Sequence, residues 1–561
     1  MKFKSASIAL ATAGLMYFSQ TQLNALSLSS PENAPSGELG GVISLTNPKD
    51  LGTLLQNSRF SSVMQKMIDS TTMNDPSVRQ TFAEMEAFLK SMGDDVTFAT
   101  MYGSVIKGMD VYIGVEPEKA EQTVLMVVQV ASEDQALKIA NQLNENSNKT
   151  NAEKGLPASL DIDVAGTMFK YDRMNETYFG QKGNKLFMAS GGNAFLTSSL
   201  QSSGTAAVDS LENLAFLEGK VAQGGDLAIY LNFNKLVQTT TGQALQQASP
   251  GQVLVNIDFD GTTVKSNYFF KPTEITDARK ALIQIAPSPQ QQVSSFLPSN
   301  AIAAYSTNIL EPSVLSQAYD LAKNSPESAG QFGMIEMMAQ QTGLSIKEDL
   351  IPAFGPMVSV SLGKPDPTMP LPIPSITIAT KIADQERANL VITKIEEGLI
   401  YQATESAKQM NPNAPAAEVI QNDFNGTPIR SVSFTTPFVK LLVSHSLTSD
   451  GHYLLSFGNG GIESALTAHS GSNSLVSSSG WDSMSPEFFQ TNNHLAIIDA
   501  ASASALLRQV LNLTAGFTGS TPEQLAQANM GFDLLETLGT LYNANRNDPD
   551  GTHGYTMLKL Q

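Results

Sequence analysis

Apolar and polar residues alternate along several short runs of the chain, and this period of two predicts β-strands. In the N-terminal half the runs are Gly41–Leu45, Val96–Tyr102, Met109–Val115 and Thr123–Val130, and in the C-terminal half they are Ala301–Ser306, Met357–Leu362 and Ile376–Thr380. Other stretches place apolar residues three and four apart and predict helices, among them one capped by Ser132 and one capped by Asp384. Strands joined by hairpin turns, with helices between them, predict an α+β fold: a mostly antiparallel sheet with helices packed on it.

The same order of elements occurs twice along the chain. The matched landmarks are Gly166 and Gly426, Leu186 and Leu454, Gly192 and Gly460, and Gly261 and Gly551. The second and third pairs share an offset of 268 residues (454 − 186 and 460 − 192), whereas the last pair is 290 residues apart (551 − 261). We therefore predict two tandem, duplicated domains at residues 35–272 and 297–561, joined by a linker at residues 273–296. The larger final offset predicts an insertion in the second copy, within about residues 511–549.

The N-terminus has the features of a secretory signal peptide at residues 1–25. Lys2 and Lys4 provide positive charge, Ile8–Phe18 is an apolar segment too short to span a bilayer, and Ala25 is a suitable residue for a cleavage site. No later segment reaches the length of about 20 apolar residues that a membrane-spanning helix needs. We therefore expect a soluble bacterial protein, periplasmic or secreted, with no integral membrane segment after cleavage.

The composition restricts the partners and the means of stabilisation. The chain has no cysteine, so an exported form must be stabilised by its hydrophobic cores without disulfide bonds. Its formal net charge is −19, and removal of Lys2 and Lys4 would change it to −21 (−19 − 2). An acidic chain does not attract phosphate groups, which argues against nucleic acid and anionic membrane surfaces as partners. The partner is unknown from sequence, and a protein or an apolar ligand is compatible with these properties.

One segment of the second copy combines glycine, proline and alternating apolar residues. It runs from Gly343 through Leu350 and Pro352 to Gly355, and Val358 and Val360 follow it. Gly343 is suited to ending a helix, Pro352 and Gly355 oppose a helical continuation, and the two valines indicate a strand. We interpret the segment as a structural joint between a helix and the sheet, with Leu350 as a core residue.

The segment has the sequence GLSIKEDLIPAFG, which resembles a bacterial family catalogued as domain of unknown function 3352. The opening of the second copy, Leu297–Ala301, is similar to the start of that domain. The resemblance covers most of the second copy and extends more faintly to the first, where Met92–Asp95 stands in place of the longer motif. It implies exported proteins without an assigned activity, so it assigns no catalytic residue.

Histidines are concentrated in the last quarter of the chain, which raises the question of a metal site. They are His445, His452, His469, His494 and His553. A tight turn at Asp450-Gly451 would place His445 and His452 on one face of a hairpin, but roughly 7–13 Å apart along the strands. Zinc requires ligand atoms about 2 Å from one point. We therefore expect no metal and no other cofactor.

Two further patterns have a chemical and a structural interpretation. Ser104 and Lys107 match the Ser-x-x-Lys pattern of penicillin-recognising serine enzymes, but that serine opens a helix, whereas Ser104 is predicted to lie between strands. Methionines occur at helical spacing at positions 64, 67, 334, 337 and 338. Such methionines fill irregular cores, and on an open face they can also contact apolar ligands.

The leading hypothesis is an exported, non-enzymatic binding or scaffold protein. One alternative is a periplasmic carrier that holds an apolar ligand in a methionine-lined groove. A second alternative is a hydrolase whose site no motif reveals, since the chain has no Gly-x-Ser-x-Gly, Walker loop or His-Glu-x-x-His.

We predict that the mature protein begins between about Ala25 and Ser30, where the apolar run gives way to small polar residues. N-terminal sequencing of the protein isolated from the periplasm would identify the first residue. Recovery of a chain that still begins at Met1 would contradict export through this segment.

Overall fold

The structure is a computed structural model. It describes residues 28–35, 38–59, 96–116, 121–202, 211–221, 225–236, 251–274, 295–308, 343–366, 371–413, 416–435, 440–471, 473–475 and 494–561, together with single positions between them. The predicted signal peptide, residues 275–294 of the predicted linker and most of residues 60–95 and 309–342 lie outside the described residues. The chain forms two compact units: unit 1 comprises Met1–Glu274 and Asp550–Gln561, and unit 2 comprises Ile275–Pro549.

Unit 1 is built on an antiparallel sheet. Its strands are β1 (Leu39–Leu45), β2 (Ile106–Glu116), β3 (Glu121–Val130), β4 (Leu160–Val164), β5 (Thr167–Asp172), β6 (Thr177–Lys182), β7 (Lys185–Ser190), β8 (Leu227–Asn232), β9 (Gly251–Asp260), β10 (Thr263–Pro272) and the C-terminal strand β20 (Gly551–Lys559). The strand order is β4-β5-β6-β7-β3-β2-β1-β8-β9-β10-β20, and every neighbouring pair is antiparallel. The last strand of the chain thus completes the sheet of unit 1.

Helices cover both faces of this sheet. They are α1 (Pro48–Asn57), α2 (Phe98–Ser104), α3 (Glu133–Glu153), α4 (Ala194–Gln201), α5 (Leu214–Glu218) and α6 (Phe233–Leu236). Val127 of β3 belongs to a hydrophobic cluster that includes Phe195 of α4, whereas its neighbour Val128 packs against a second cluster that includes Ile139 of α3. Successive residues of a strand point to opposite faces, so the two clusters lie on the two sides of the sheet.

Unit 2 is also built on an antiparallel sheet. Its strands are β11 (Ala303–Asn308), β12 (Phe354–Leu362), β13 (Ile376–Ile382), β14 (Val419–Phe424), β15 (Thr427–Thr435), β16 (Lys440–Leu447), β17 (His452–Phe457), β18 (His494–Asp499) and β19 (Thr540–Asp548). The strand order is β14-β15-β16-β17-β13-β12-β11-β18-β19. The helices whose bounds are described are α7 (Ile351–Ala353), α8 (Gln385–Met410), α9 (Gly461–His469), α10 (Ala500–Thr518) and α11 (Pro522–Thr537).

The core of unit 2 has two described clusters. In the first, Phe296 and Leu454 of β17 pack with Ile462 of α9. In the second, Leu344 packs with Val391 of α8. Helices and antiparallel sheets therefore occur together in both units, and the predicted α+β class is confirmed.

The two predicted helix caps are present and explain where α3 and α8 begin. The Ser132 hydroxyl accepts a hydrogen bond from the backbone N–H of Gln135 at 3.2 Å. The Asp384 carboxylate accepts hydrogen bonds from the backbone N–H groups of Glu386 and Arg387 at 3.0 and 3.1 Å. Each cap satisfies N–H groups that have no partner within the helix.

The strand predicted at Val96–Tyr102 is wrong, because α2 occupies Phe98–Ser104. Thr97 and Thr100 form a reciprocal capping box, in which each hydroxyl accepts a hydrogen bond from the backbone N–H of the other residue. The alternation of threonine with apolar residues resembled a strand, but the spacing of three between the threonines favours a helix start.

The N-terminal segment at residues 28–35 is part of the core of unit 1. Asp110 of β2 is fully buried, and its carboxylate accepts hydrogen bonds from Ser29 N at 3.0 Å, Ser30 N at 2.7 Å and the Ser44 hydroxyl at 2.5 Å. Burial raises the pKa of Asp110, and these hydrogen bonds oppose the increase. The segment is therefore held by a carboxylate that has no access to water.

We predict that Asp110→Ala lowers the free energy of unfolding by about 2–4 kcal/mol, because three buried donors lose their acceptor. Asp110→Asn keeps one acceptor oxygen and should cost less. Asp161 of β4, whose side chain is 60% exposed, provides the control: Asp161→Ala should change stability by about 0.5 kcal/mol or less. The measurement is urea unfolding of the full-length protein, and equal losses for Asp110→Ala and Asp161→Ala would show that this carboxylate does not hold the segment.

Candidate functional site

The hairpin between β16 and β17 determines where the histidines of unit 2 lie. The backbone N–H of Thr448 donates to the carbonyl oxygen of His452 at 2.9 Å, which leaves a three-residue loop at residues 449–451. Gly451 has a φ of 82°, a conformation that glycine adopts without steric cost. A glycine with positive φ at the end of a three-residue loop is a common hairpin geometry.

The predicted two-residue turn is therefore wrong, and so is the prediction that His445 and His452 share a face. In the observed register His445 lies opposite Leu455. Because side chains alternate along β17, His452 points to the other face of the sheet from Leu455. One additional loop residue has moved the two histidines to opposite sides, as a change of register by one residue always does.

On the side of α9, five residues form what we call the Asp450 cluster: Ser295, Phe296, Asp450, His452 and His469. Nδ1 of His452 lies 3.1 Å from Oδ2 of Asp450, and Nε2 of His469 lies 3.3 Å from the same oxygen. The Ser295 hydroxyl lies 2.9 Å from Nδ1 of His469. The ring of Phe296 stacks on the ring of His469, with centroids 4.0 Å apart and planes 6° apart.

The members of the Asp450 cluster differ in exposure. The side chain of His452 is 6% exposed, whereas those of His469 and Asp450 are 33% and 46% exposed. Burial acts to raise the pKa of Asp450, but the hydrogen bond from Thr448 and the nearby imidazoles of His452 and His469 together lower it below its usual value. Asp450 is therefore an anion at neutral pH that can orient a neighbouring imidazole.

On the other side of the sheet, Glu396 of α8 joins Arg430 and His445 in what we call the Glu396 cluster. Its carboxylate accepts hydrogen bonds from Nε and Nη2 of Arg430 at 2.7 and 2.8 Å, and Nε2 of His445 lies 2.9 Å away. The hydrogen bonds from Arg430, aided by His445, outweigh burial and lower the pKa of Glu396 to about 2. Burial lowers the pKa of His445, although Glu396 opposes this. The arrangement resembles an ion-pair clamp between α8 and the sheet.

A groove of about 650 Å³ runs along α10 in unit 2, between that helix and the loop after β12. It is lined by Ile302, Lys364, Pro365, Asp366, Pro372, Ser502, Ala505, Leu506, Gln509, Asn512 and Leu513. The lining is mainly apolar, and it includes two amides and one charge of each sign.

Helix α10 has an unusually apolar surface. Its one charged residue, Arg508, faces α11, where Nη2 lies 2.8 Å from Oδ1 of Asp533 and 3.0 Å from Oε1 of Glu536. Leu513, which lines the groove, remains 42% exposed, and Leu507, which is 47% exposed, lies outside the lining. An exposed leucine in the wall of a groove, on a helix whose only charge is engaged elsewhere, indicates an interaction surface.

The segment singled out in the sequence lies at the entrance to β12. Gly343 has a φ of 73°, Ile346–Leu350 forms a π-helical turn, and Pro352 lies in the short helix α7. Leu350 is half-buried against the cluster of Leu344 and Val391, and Gly355 is buried within β12. The four residues Gly343, Leu350, Pro352 and Gly355 follow one another along this path without forming a pocket in the described part of the chain.

The Ser-x-x-Lys match does not bring its two side chains together. Ser104 ends α2 instead of opening a helix, and its hydroxyl donates to the carbonyl of Thr100. The Lys107 ammonium donates to the carbonyl of Gly103. Of the methionines at helical spacing, only the one at position 337 is described, and it is 55% exposed. The predicted methionine-lined groove therefore lies outside the described residues.

The two remaining histidines lie apart from both clusters. Nδ1 of His494 lies 2.7 Å from the hydroxyl of Thr307, and the ring of His553 in unit 1 meets Phe269 edge-on. Within the described ranges, no three histidine or carboxylate side chains have the geometry to hold a metal ion. None of the described helices is both long enough and apolar enough to cross a membrane.

The sequence analysis missed both the Asp450 cluster and the groove. Phe296, which we assigned to the end of the linker, is 1% exposed in the core of unit 2. A large aromatic residue directly before Leu297 is the signal that could have placed it in a folded domain. For the groove, the signal is the run of apolar residues in α10 with a single charge.

Comparisons with known proteins do not identify a relative. No family model and no curated protein matches the chain. A solved structure entitled "Structure of crystal form I of TP0453" has 8% sequence identity and a TM-score of 0.20, and the match covers 44% of this chain and 80% of that one. A TM-score this low does not support a shared fold, and it carries no argument about function.

We predict that Glu396→Gln lowers the free energy of unfolding at pH 7 by about 2–3 kcal/mol, because the charged partner of Arg430 is lost. The folded-state pKa of Glu396 is depressed from 4.5 to about 2, so its contribution is present above pH 4.5 and is lost as the pH falls toward 2. The variant should therefore lose less stability over that interval than the parent protein.

The adjacent Glu397, whose side chain is 58% exposed, provides the matched control. Glu397→Gln should change stability at pH 7 by about 0.5 kcal/mol or less. Urea unfolding at pH 7 and at pH 3 compares the three proteins. An identical pH dependence in the parent protein and Glu396→Gln would show that Glu396 is not the group that titrates.

Proposed function

We propose that the protein is an exported binding protein, built from two tandem copies of one α+β domain related to the family named above. Export is proposed from the signal-like segment at residues 1–25. The duplication is supported by strand order. Reading from β4 to β9 in unit 1 and from β14 to β19 in unit 2, the strands occur in corresponding chain order at all nine positions.

The insertion in the second copy has a structural counterpart that supports the same proposal. In unit 2, the connection from β18 to β19 spans residues 500–539 and contains α10 and α11. In unit 1, the connection from β8 to β9 spans only residues 233–250. The difference of 22 residues (40 − 18) equals the change in sequence offset between the landmarks (290 − 268). We propose that the 22 inserted residues lie within this helical hairpin, whose first helix builds one wall of the groove.

The observation that carries the proposed function is the groove along α10. The apolar residues that line it include Ile302, Leu506 and Leu513. Gln509 and Asn512 are three residues apart on α10, so their amides follow the groove and can pair with the N–H and C=O groups of an extended backbone. The occupant that fits this chemistry is an extended segment of a partner protein with apolar side chains.

The charges of the groove favour an uncharged segment. Lys364 and Asp366 are two residues apart in the loop and contribute one charge of each sign. A segment with a strong net charge would be attracted by one of these groups and repelled by the other, so the loop gives no net advantage to charge of either sign. A lipid chain is disfavoured, because the open groove would leave much of its hydrocarbon in water, whereas small-molecule sites usually bury 70–90% of the ligand.

The test selects peptides from a random display library on immobilised full-length protein. We expect the selected peptides to be apolar and uncharged, and to bind at least tenfold more weakly to Leu513→Arg in fluorescence anisotropy. An arginine at this position would place a charge among the apolar residues that line the groove.

Two controls separate the groove from general surface effects. Leu507→Arg alters an exposed residue of the same helix outside the groove, and Leu137→Arg alters a 47% exposed leucine of unit 1. Both should leave peptide affinity within about twofold of the parent protein. Selection of no peptide, or equal binding to all variants, would contradict the proposal. If the parent protein bound the fluorescent fatty acid cis-parinaric acid and Leu513→Arg did not, a lipid carrier would be favoured instead.

A further inference from the structure

The Asp450 cluster contains a chain of contacts that the proposed binding function does not use. The Ser295 hydroxyl lies 2.9 Å from one ring nitrogen of His469, and the other ring nitrogen lies 3.3 Å from the Asp450 carboxylate. A serine hydroxyl is a weak nucleophile until a neighbouring base accepts its proton, and a carboxylate behind the base holds that base in the required tautomer. We propose that Ser295, His469 and Asp450 form a nucleophilic site that cleaves small, uncharged carboxylic esters.

The structure holds the base in place from three sides. His469 is the last residue of α9, and the ring of Phe296 lies parallel to its ring at 4.0 Å. Asp450 is fixed in turn, because its other carboxylate oxygen accepts a hydrogen bond from the Thr448 hydroxyl at 2.5 Å. With Asp450 ionised, Nε2 of His469 carries the proton and Nδ1 faces Ser295 as an acceptor.

The exposure of the three groups suits a reaction with a small molecule. Ser295 is half-buried, and the side chains of His469 and Asp450 are 33% and 46% exposed, so a substrate can reach the serine oxygen from solvent. The net charge of the chain is −19, which disfavours the approach of anionic substrates. A neutral ester is therefore the substrate class that fits.

The reaction follows from the contacts. As the Ser295 oxygen bonds to the carbonyl carbon of the ester, Nδ1 of His469 accepts the hydroxyl proton. The proton then passes to the departing alkoxide, which leaves as the alcohol while the acyl group stays on Ser295 as an ester. Water attacks this ester, His469 accepts a proton from the water and returns it to the serine oxygen, and the carboxylic acid is released.

Unit 1 provides an internal comparison. Its corresponding hairpin, between β6 and β7, has Lys182 paired with Lys185 and a two-residue loop of Gly183 and Asn184. That hairpin forms without histidine or aspartate. Formation of the hairpin therefore does not require the Asp450 cluster. Burying a polar imidazole such as that of His452 costs free energy of desolvation, so it is not an efficient way to stabilise a hairpin.

The first test needs no variant. The full-length protein is treated with a fluorophosphonate probe, which reacts with activated serines, and the labelled position is identified by peptide mass spectrometry. We expect the label on Ser295. Absence of label from Ser295, or label distributed over many serines at similar rates, would overturn the proposal.

The second test measures the initial rate of labelling and the hydrolysis of p-nitrophenyl acetate in variants. Ser295→Ala should abolish labelling, and His469→Gln should reduce its rate at least tenfold. Asp450→Asn, which alters a positioning residue, should lower the rate constant for labelling without changing the half-saturating probe concentration by more than about twofold.

Matched controls address general reactivity. Ser299→Ala removes a hydroxyl four residues away that bonds to Asn473, and His494→Gln removes a histidine outside the cluster. Both should label like the parent protein. An equal loss of labelling in these controls would overturn the proposal. Peptide binding in the groove is a separate property, and it should persist in Ser295→Ala if the proposed binding function holds.

Discussion

Backbone register in the β16–β17 hairpin is the constraint on which the chemistry of unit 2 depends. The hydrogen bond from Thr448 to His452 closes a three-residue loop and sets the pairing of His445 with Leu455. From that pairing follow the contact of His445 with Glu396 on the α8 side and the contact of His452 with Asp450 on the α9 side. A two-residue loop would place both histidines on one face of the sheet, and one of the two contacts would then be lost. A single turn thus decides which charged groups meet.

The sequence predicted the regular elements better than the contacts between them. Ser132 and Asp384 carry recognisable caps, so the starts of α3 and α8 could be predicted, and the strands at β3 and β13 follow from their alternation. The exact loop at residues 449–451 could not, because Asp450-Gly451 fits a two-residue turn and a three-residue loop equally well. The Asp450 cluster joins three distant segments, and no local pattern reports such a junction.

Two kinds of stabilisation occur among Asp110, which is buried, and Glu396 and Asp226, which are half-buried. Glu396 has an arginine partner, and its pKa falls to about 2. Asp110 and Asp226 have only neutral donors: burial raises the pKa of Asp226 to about 6, against hydrogen bonds from Phe259 N and Asn47, and raises that of Asp110 as well. The ion pair of Glu396 stabilises the fold at pH values where that carboxylate is ionised. Burial among neutral donors instead favours the protonated forms of Asp110 and Asp226. Unit 2 has the ion-paired kind at the interface of α8 with the sheet, whereas unit 1 uses hydrogen-bonded carboxylates to hold β2 and β8 to neighbouring segments.

Comparison of the two units shows which features the shared strand order requires and which it does not. Unit 1 forms its sheet with a short connection after β8 and with a histidine-free hairpin between β6 and β7. Unit 2 reaches the corresponding strand order with α10 and α11 after β18 and with the Asp450 cluster beside β17. Since the same pairing is achieved without them, neither the helical hairpin nor the cluster is explained by sheet formation. Functional sites are expected where a chain has features that its fold does not require. The groove and the nucleophilic serine therefore have a stronger claim to function than the glycine- and proline-containing segment before β12, whose backbone conformations are accounted for by the start of that strand.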